Sequence, residues 1–259
     1  MAFDAARFRV QSRERRPALG RPLMYQAITG STNDDALKAA RAGAPHGSVF
    51  LADEQTAGRG RRGHTWLAAP GESLLFSVLL RPKLELAQSS ALTLAIGLAL
   101  RDAVAPLVEA APQIKWPNDL YVDGKKLAGI LVESQLQGSE LQAVIVGIGL
   151  NVATRDFPPE IARTATSLAL LEAKSLEREA LLFEILEAIA RRLAAYQVTG
   201  VSGILDELNA VDALRDKRVR VDGVVGVSRG LDAQGRLLVE DEADAVKTHA
   251  ILAGTVELL

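Results

Sequence analysis

Residues 58–63 read Gly-Arg-Gly-Arg-Arg-Gly, and the segments on either side of them restrict the fold more than the hexapeptide itself. The six letters satisfy the G-x-G-x-x-G pattern of dinucleotide-binding folds, which needs a strand before it and a helix opening within it. The strand is present, since Ser48-Val49-Phe50-Leu51-Ala52 is a short apolar run. The helix is not. After His64, Thr65 and Trp66 comes a breaker cluster, Ala68-Ala69-Pro70-Gly71, and then a second strand-like run from Leu74 to Leu80. A nicotinamide-binding oxidoreductase fails on that missing helix, and two strands bracketing a glycine–arginine loop are expected instead. Glycine lets a backbone approach a ligand closely. Arginine supplies fixed cationic forks for carboxylate or phosphate. The loop is read as an anion-gripping segment.

The rest of the chain alternates helical and strand signals. Ser31 or Thr32 caps a helix to about Arg41, with Asp34 and Asp35 in its first turn and Gly43 at its stop. Apolar residues recur at helical spacing over 87–109 and 177–197, and residues 203–210 give a shorter helix. Gln113 to Asp119 is a short strand halted by Pro117, and Asp123-Gly124 marks a tight hairpin between Tyr121-Val122 and Lys125 to Glu133. Another hairpin joins 127–136 to 140–148 through Gln137-Gly138-Ser139. Beyond Ala213, five short alternating runs (217–222, 224–229, 237–240, 246–250 and 255–259) read as a small β-barrel, closed to hide its edges. The expected organisation is a flexible tail over 1–23, an α+β domain over 24–211 with a mixed, largely antiparallel sheet flanked by helices, and the barrel over 212–259.

Composition removes several function classes. With no cysteine, disulfides, a thiol nucleophile and thiolate metal sites are excluded, and a reducing cytoplasm is the expected location. A net charge of −2 argues against DNA or RNA binding driven by bulk charge. The longest apolar stretch, Ala91 to Leu100, is short for a bilayer span and runs into Arg101 and Asp102. Arg7, Arg9, Arg13, Arg15 and Arg16 precede no apolar segment, so no secretory signal is expected.

Four segments besides the loop carry polar groups where a scaffold alone does not need them. Ser31-Thr32-Asn33 offers hydroxyls and an amide at a helix start, and Gln55 stands just before the loop. Lys115-Trp116-Pro117-Asn118-Asp119 is followed by Lys126-Leu127-Ala128-Gly129. In Val146-Gly147-Ile148-Gly149-Leu150-Asn151, two glycines within an apolar strand mean close approach by a neighbour or a ligand. Each has an ordinary reading by itself: a cap, a turn, a solvated lysine, tight packing. Their joint occurrence singles them out.

In this order the motifs resemble those of the biotin protein ligases, also called biotin–[acetyl-CoA-carboxylase] ligases, over nearly the whole chain from about residue 24. The segments that carry the resemblance are Ser31-Thr32-Asn33, Gln55 to Gly63, Lys115 to Leu120, Lys126 to Glu133 and Gly147 to Asn151. The resemblance implies a class II synthetase-like catalytic domain followed by an SH3-like barrel. It implies biotin as substrate, ATP with Mg²⁺ as co-substrate and metal, no tightly bound prosthetic group, and a biotin carboxyl carrier protein as partner; a homodimer stays open. In the reaction so implied, the biotin carboxylate attacks the α-phosphate of ATP to give biotinyl-5′-AMP, and a carrier lysine then attacks the mixed anhydride. Ser31, Thr32 and Gln55 would bond the ureido ring, with Asn33, Gly58, Gly129 and Gly147 completing the biotin site. Arg59 and Arg61, with the Gly60 amide, would wrap the carboxylate and later the phosphate, and Lys126 and Arg61 would be catalytic. Trp66, Lys115, Asn118, Gly149 and Asn151 would neighbour the nucleotide, and Asp119 the metal. Gly129, Gly147 and Gly149 would make room for ligands, and the loop would be mobile when empty.

Two departures from the family's pattern stand out. His64 occupies a position where a further Arg is often found, and the thirty residues before Ser31 are too few for the helix-turn-helix repressor domain that some members carry. An enzyme-only form is therefore expected. Lipoate or octanoate transferases of the same fold are the nearest rival, though they are not expected to carry this loop. A non-enzymatic module gripping a nucleotide or RNA phosphate is the rival from another class.

Overall fold

The computed structural model describes residues 2–244 and 246–259, the side chains of Ala87 and Ser90 excepted. Its centre is a pair of strands that read as unbroken apolar runs because both of their faces are covered. β3 (Ser73–Leu80) is buried at every position. It pairs antiparallel with β7 (Glu140–Asn151), from Ser73 opposite Asn151 to Leu80 opposite Val144. On one side follow β6 (Lys125–Gln137), β5 (Asp119–Val122) and β4 (Gln113–Lys115); on the other, β2 (Val49–Gln55) and β1 (Leu23–Thr29). The order is β1-β2-β3-β7-β6-β5-β4, and of these pairs only β1–β2 is parallel. This is the mixed, largely antiparallel sheet expected from the sequence.

Helices cover both faces. α3 (Leu86–Val104) and α4 (Arg178–Thr199) pack on each other and on the main core, burying Leu92, Ile96, Leu98, Leu186 and Ile189 completely or nearly so. α2 (Thr32–Arg41) covers the opposite face, where Ala36 and Ala40 meet Phe50, Leu79 and Ile145. Its N-terminus delivers Ser31, Thr32 and Asn33, all buried, to the centre of the sheet.

The sequence reading needs correction at two points. The N-terminal segment is a helix and not a loose tail. α1 (Ala5–Arg15) is capped by the Asp4 carboxylate, which accepts from Arg7 N at 2.8 Å, and it packs on α4 with Phe3 and Phe8 buried. Five arginines hide two anchoring phenylalanines from any averaged hydropathy. β1 is absent from the sequence reading because it is an edge strand with alternation too weak to register, Ile28 being 58% exposed. The C-terminal unit comprises β8 (Arg218–Val221), β9 (Val224–Leu231), β10 (Leu237–Asp241), β11 (Thr248–Ile251) and β12 (Val256–Leu258). Its antiparallel ladders run in the order β11-β10-β9-β8-β12, the small C-terminal β unit expected from the sequence.

That unit is fastened to the large sheet. Ahead of it, α5 (Leu205–Ala210) leads into Val211-Asp212-Ala213, which runs beside β4: Ile114 N donates to Val211 O and Ala213 N to Ile114 O, both at 2.9 Å. The Trp116 indole donates to Gly235 O at 3.0 Å. No described helix is long and apolar enough to cross a membrane.

Candidate active site

Where β2 ends, the chain forms a narrow hairpin over the sheet. Arg59 bridges Thr65, Gly60 N donates to His64 O at 2.7 Å, and Trp66 N donates to Gly58 O at 3.0 Å. The tip, Arg61–Gly63, is a single tight turn with Arg62 in the left-handed region at φ 52°. Beneath it lies a cavity of about 260 Å³. Ser31, Thr32, Asn33, Gln55, Arg59, Gly60, Arg61, Trp66, Lys115, Asn118, Asp119, Lys126, Gly129, Gly147 and Gly149 all line it. Of the residues singled out in the sequence, Gly58 and Asn151 do not. Gly58 serves the hairpin through its carbonyl. Asn151 donates to Thr166 O at 3.0 Å and lines an adjoining cavity of about 160 Å³, which shares Trp66 and Lys126 with the main one.

The three arginines of the loop have different surroundings. Arg59 forms a two-pronged pair with Glu133 at 3.1 and 2.8 Å and also meets Asp34 at 2.7 Å. Arg62 forms a two-pronged pair with Asp222 of the C-terminal unit, both contacts 2.8 Å. Arg61 points into the cleft, where its contact among the described residues is Asn118 Oδ1 at 3.4 Å. Burial, followed by the nearby Arg62 charge, lowers the Arg61 pKa from its ordinary value. The Asp119 charge acts in the opposite direction, but no carboxylate pairs with Arg61 among the described residues, and such a half-desolvated cation is suited to receive an anion.

At the other end of the cleft the groups are neutral. Gln55 Oε1 accepts from Thr32 N at 2.8 Å and from Thr32 Oγ1 at 3.1 Å. Ser77 Oγ reaches Thr32 Oγ1 at 2.8 Å and Asn33 Oδ1 at 2.5 Å. Ser31 occupies the cap position of α2 but makes no side-chain cap bond, so its hydroxyl is not committed to the helix.

The strand glycines correct an expectation. Gly129 and Gly149 sit opposite each other on β6 and β7, and the space they vacate holds the Trp66 ring. A Cβ on Gly149 would stand 2.5 Å from Trp66 Cε2, and one on Gly129 would stand 2.9 Å from Trp66 Cζ3. A Cβ on Gly147 would collide with the Asn33 amide. In this structure the glycines make room for protein side chains, which in turn form the cleft wall. The Trp66 indole nitrogen is buried and has no acceptor among the described residues.

Lys126 Nζ lies 2.8 Å from Asp119 Oδ1 and 5.5 Å from the centre of the Trp66 ring. Its backbone is pinned on the far side by the 164–166 segment, with Lys126 N donating to Thr164 O and Thr166 N to Lys126 O. Lys115 Nζ bonds Tyr121 Oη at 3.2 Å, and burial pulls its pKa down. Burial, then Asp119, pushes the Tyr121 hydroxyl up to about 12. Asn118 is fixed by donating to Ile130 O at 2.9 Å, so the turn before β5 is locked to β6.

Four contributors were not singled out from the sequence. Glu133 and Asp34 hold Arg59, Ser77 joins Thr32 to Asn33, and Gly254-Thr255-Val256 close one wall of the cleft. Only Glu133 had a local signal, standing at the end of a motif already marked.

Residues 25–151 match the model of the Biotin/lipoate A/B protein ligase family. The biotin–[acetyl-CoA-carboxylase] ligase of Mycobacterium tuberculosis is 37% identical over 230 residues, covering 85% of this chain and 84% of that protein. The bifunctional ligase/repressor BirA of Bacillus spizizenii is 34% identical over 238 residues, 90% of this chain and 73% of its own length. Among solved structures, the biotin protein ligase from Aquifex aeolicus in complex with biotin and ATP superposes with a TM-score of 0.78 at 30% identity, covering 92% of this chain and 99% of that one. The matched family model, identities of 34–37% over at least 85% of the chain, and superposition over 92% of it lead to one conclusion: this chain belongs to the biotin protein ligase family.

Proposed function

We propose that the chain activates biotin with ATP as biotinyl-5′-AMP and transfers the biotinyl group to a lysine of a biotin carboxyl carrier protein. One observation carries the reading. A single cleft has a neutral hydrogen-bonding end, Ser31, Thr32 and Gln55, and a cationic end, Arg61, Lys126 and Lys115. That polarity suits a molecule with an uncharged cyclic urea at one end and a carboxylate at the other, extended by a phosphate. A buried site whose polar groups go unpaired without their ligand discriminates strongly against analogues.

The chemistry asks the protein for position and charge rather than a nucleophile. In the first step a carboxylate oxygen of biotin bonds to the α-phosphorus and pyrophosphate leaves with the electron pair of the broken P–O bond. Negative charge accumulates at the phosphoryl oxygens, where Arg61 and Lys126 would stabilise it. In the second step a neutral lysine amine of the carrier attacks the acyl carbon, AMP departs, and the amine sheds its proton. Trp66, Asn118, Gly149 and Asn151 are assigned to the nucleotide because they surround the cationic end and the adjoining smaller cavity.

Mg²⁺ is assigned to the triphosphate. Among the described residues no group of three or more His, Asp or Glu could hold a metal ion, and Asp119 already pairs with Lys126. The residues fit an ion carried by substrate phosphates and water, which is how Mg²⁺ is usually bound, and not a cage built by protein. Asp119 keeps the Lys126 ammonium directed into the cleft.

The test is incubation of the chain with biotin, ATP and Mg²⁺, with and without a biotinyl carrier domain, read by pyrophosphate release and carrier mass. Pyrophosphate release that depends on biotin, and a mass gain of one biotinyl group, are expected. Preference for lipoate in the same assay would reassign the substrate, and the absence of any acid-dependent release would end the reading.

A further inference from the structure

Glu133 is the hub of a hydrogen-bonded chain that crosses the whole site. Its Oε2 accepts from Asn33 Nδ2 at 2.7 Å and from Arg59 Nη2 at 2.8 Å, while Oε1 takes Arg59 Nη1 at 3.1 Å. From Asn33 Oδ1, which accepts from Ser77 Oγ, the chain continues to Thr32 Oγ1 and ends where Thr32 N donates to Gln55 Oε1. One carboxylate on β6 therefore connects the root of the glycine–arginine loop, on one side, to the neutral end of the cleft on the other.

The charge count at Arg59 is as telling as the geometry. Asp34 meets the same guanidinium at 2.7 Å, so two carboxylates face one cation. The fork that would grip a ligand carboxylate or phosphate is already filled in the two-pronged manner that arginine favours. An incoming anion would have to expel Glu133 and leave it beside Asp34. Arg61, two residues on, has no comparable partner among the described residues.

We propose that Glu133 is a positioning residue for the ligase reaction: with Arg59 it forms a latch that fixes the loop's root and orients Asn33, Thr32 and Gln55, and Arg59 does not bind the substrate anion. The proposal rests on the function proposed above. The latch is made within the chain, so it is present before substrate arrives and remains through both steps.

Removing the latch should loosen retention of biotin and of the adenylate while leaving the anion-binding groups in place. Glu133→Gln and Arg59→Ala are each expected to raise KM for biotin in the pyrophosphate assay about tenfold, an ordinary size for one charge-assisted bond. The change falls on this KM, not on kcat or on KM for ATP. The double variant should be no worse than either single one, as for two residues acting as a unit. Glu133→Asp, which keeps the charge, should recover part of the loss. The opposite reading, in which Arg59 grips the anion, predicts that Glu133→Gln frees Arg59 and lowers KM while Arg59→Ala lowers kcat. Either result overturns the proposal. A wild-type chain inactive with biotin would overturn the functional reading alone; the latch is then judged by trypsin cleavage at Arg61 and Arg62. Cleavage should quicken about tenfold in both single variants and no further in the double, because it tracks local opening of the loop. An unchanged rate would refute the latch.

Discussion

Trp66 and Gly149 occupy one space: the indole of the first lies where the side chain of the second would be, with 2.5 Å left between Trp66 Cε2 and an added Cβ. The ring is thereby held beside Lys126 and between the two cavities of the site.

Substituting Gly149→Ala should therefore displace Trp66 without touching the neutral end of the cleft. Calorimetry is expected to show biotin binding nearly retained and ATP binding weakened at least about tenfold, with a stability loss of about 1–3 kcal/mol from overpacking. Equal weakening of both ligands would contradict the division of the cleft proposed here.

Lys126→Ala should slow biotin-dependent pyrophosphate release by at least about a hundredfold, the usual result of deleting a preorganised donor at developing charge. Because Asp119 would then lose the cation 2.8 Å away, Lys126→Ala/Asp119→Asn should recover stability but not rate. Near-normal release from the single variant would remove Lys126 from the reaction.

Arg61→Gly is expected to let the adenylate escape. Arg61 stands at the hairpin tip over the cleft, so its loss opens the site to water and to foreign amines. Bystander proteins incubated with the variant, biotin and ATP should gain more biotin than with the wild type; equal labelling would count against the lid role.

A pH dependence of stability follows from Asp212, in the segment that joins β4 to the C-terminal unit. Burial raises its pKa from 3.8 to about 6, and Oδ2 has no partner among the described residues. The folded chain thus holds this proton more tightly than the unfolded one. The stabilisation is full below about pH 4, declines as pH rises toward 6, and is absent above, amounting to at most about 3 kcal/mol. Urea unfolding of wild type and Asp212→Asn at pH 4 to 7 should show a difference that changes across this window; a constant difference would rule out the assignment.

Much of this architecture is legible in the chain, for identifiable reasons. β3 and β7 announce themselves because strands covered on both faces are long apolar runs, and β6 because Asp123-Gly124 marks the hairpin ahead of it. Phe3 and Phe8 are lost among arginines, and the edge strand β1 alternates too weakly to register. In the site, the motifs name the residues that converge on the cleft but not their mutual roles. The Arg59–Glu133 pair joins positions 74 residues apart, and nothing near either one foretells it. Likewise, the glycines of β6 and β7 advertise a close approach, whereas only the fold reveals that Trp66 and Asn33 make it.

The Asp53 carboxylate collects the Phe3 amide at 3.2 Å, the Tyr25 hydroxyl at 2.5 Å and Arg178 at 2.8 Å, two residues along β2 from Gln55. The segment ahead of α1 is in this way wired to the strand that ends in Gln55. Trimming of the first turn would uncover the Asp53–Arg178 pair and loosen the strand that carries Gln55 to the cleft.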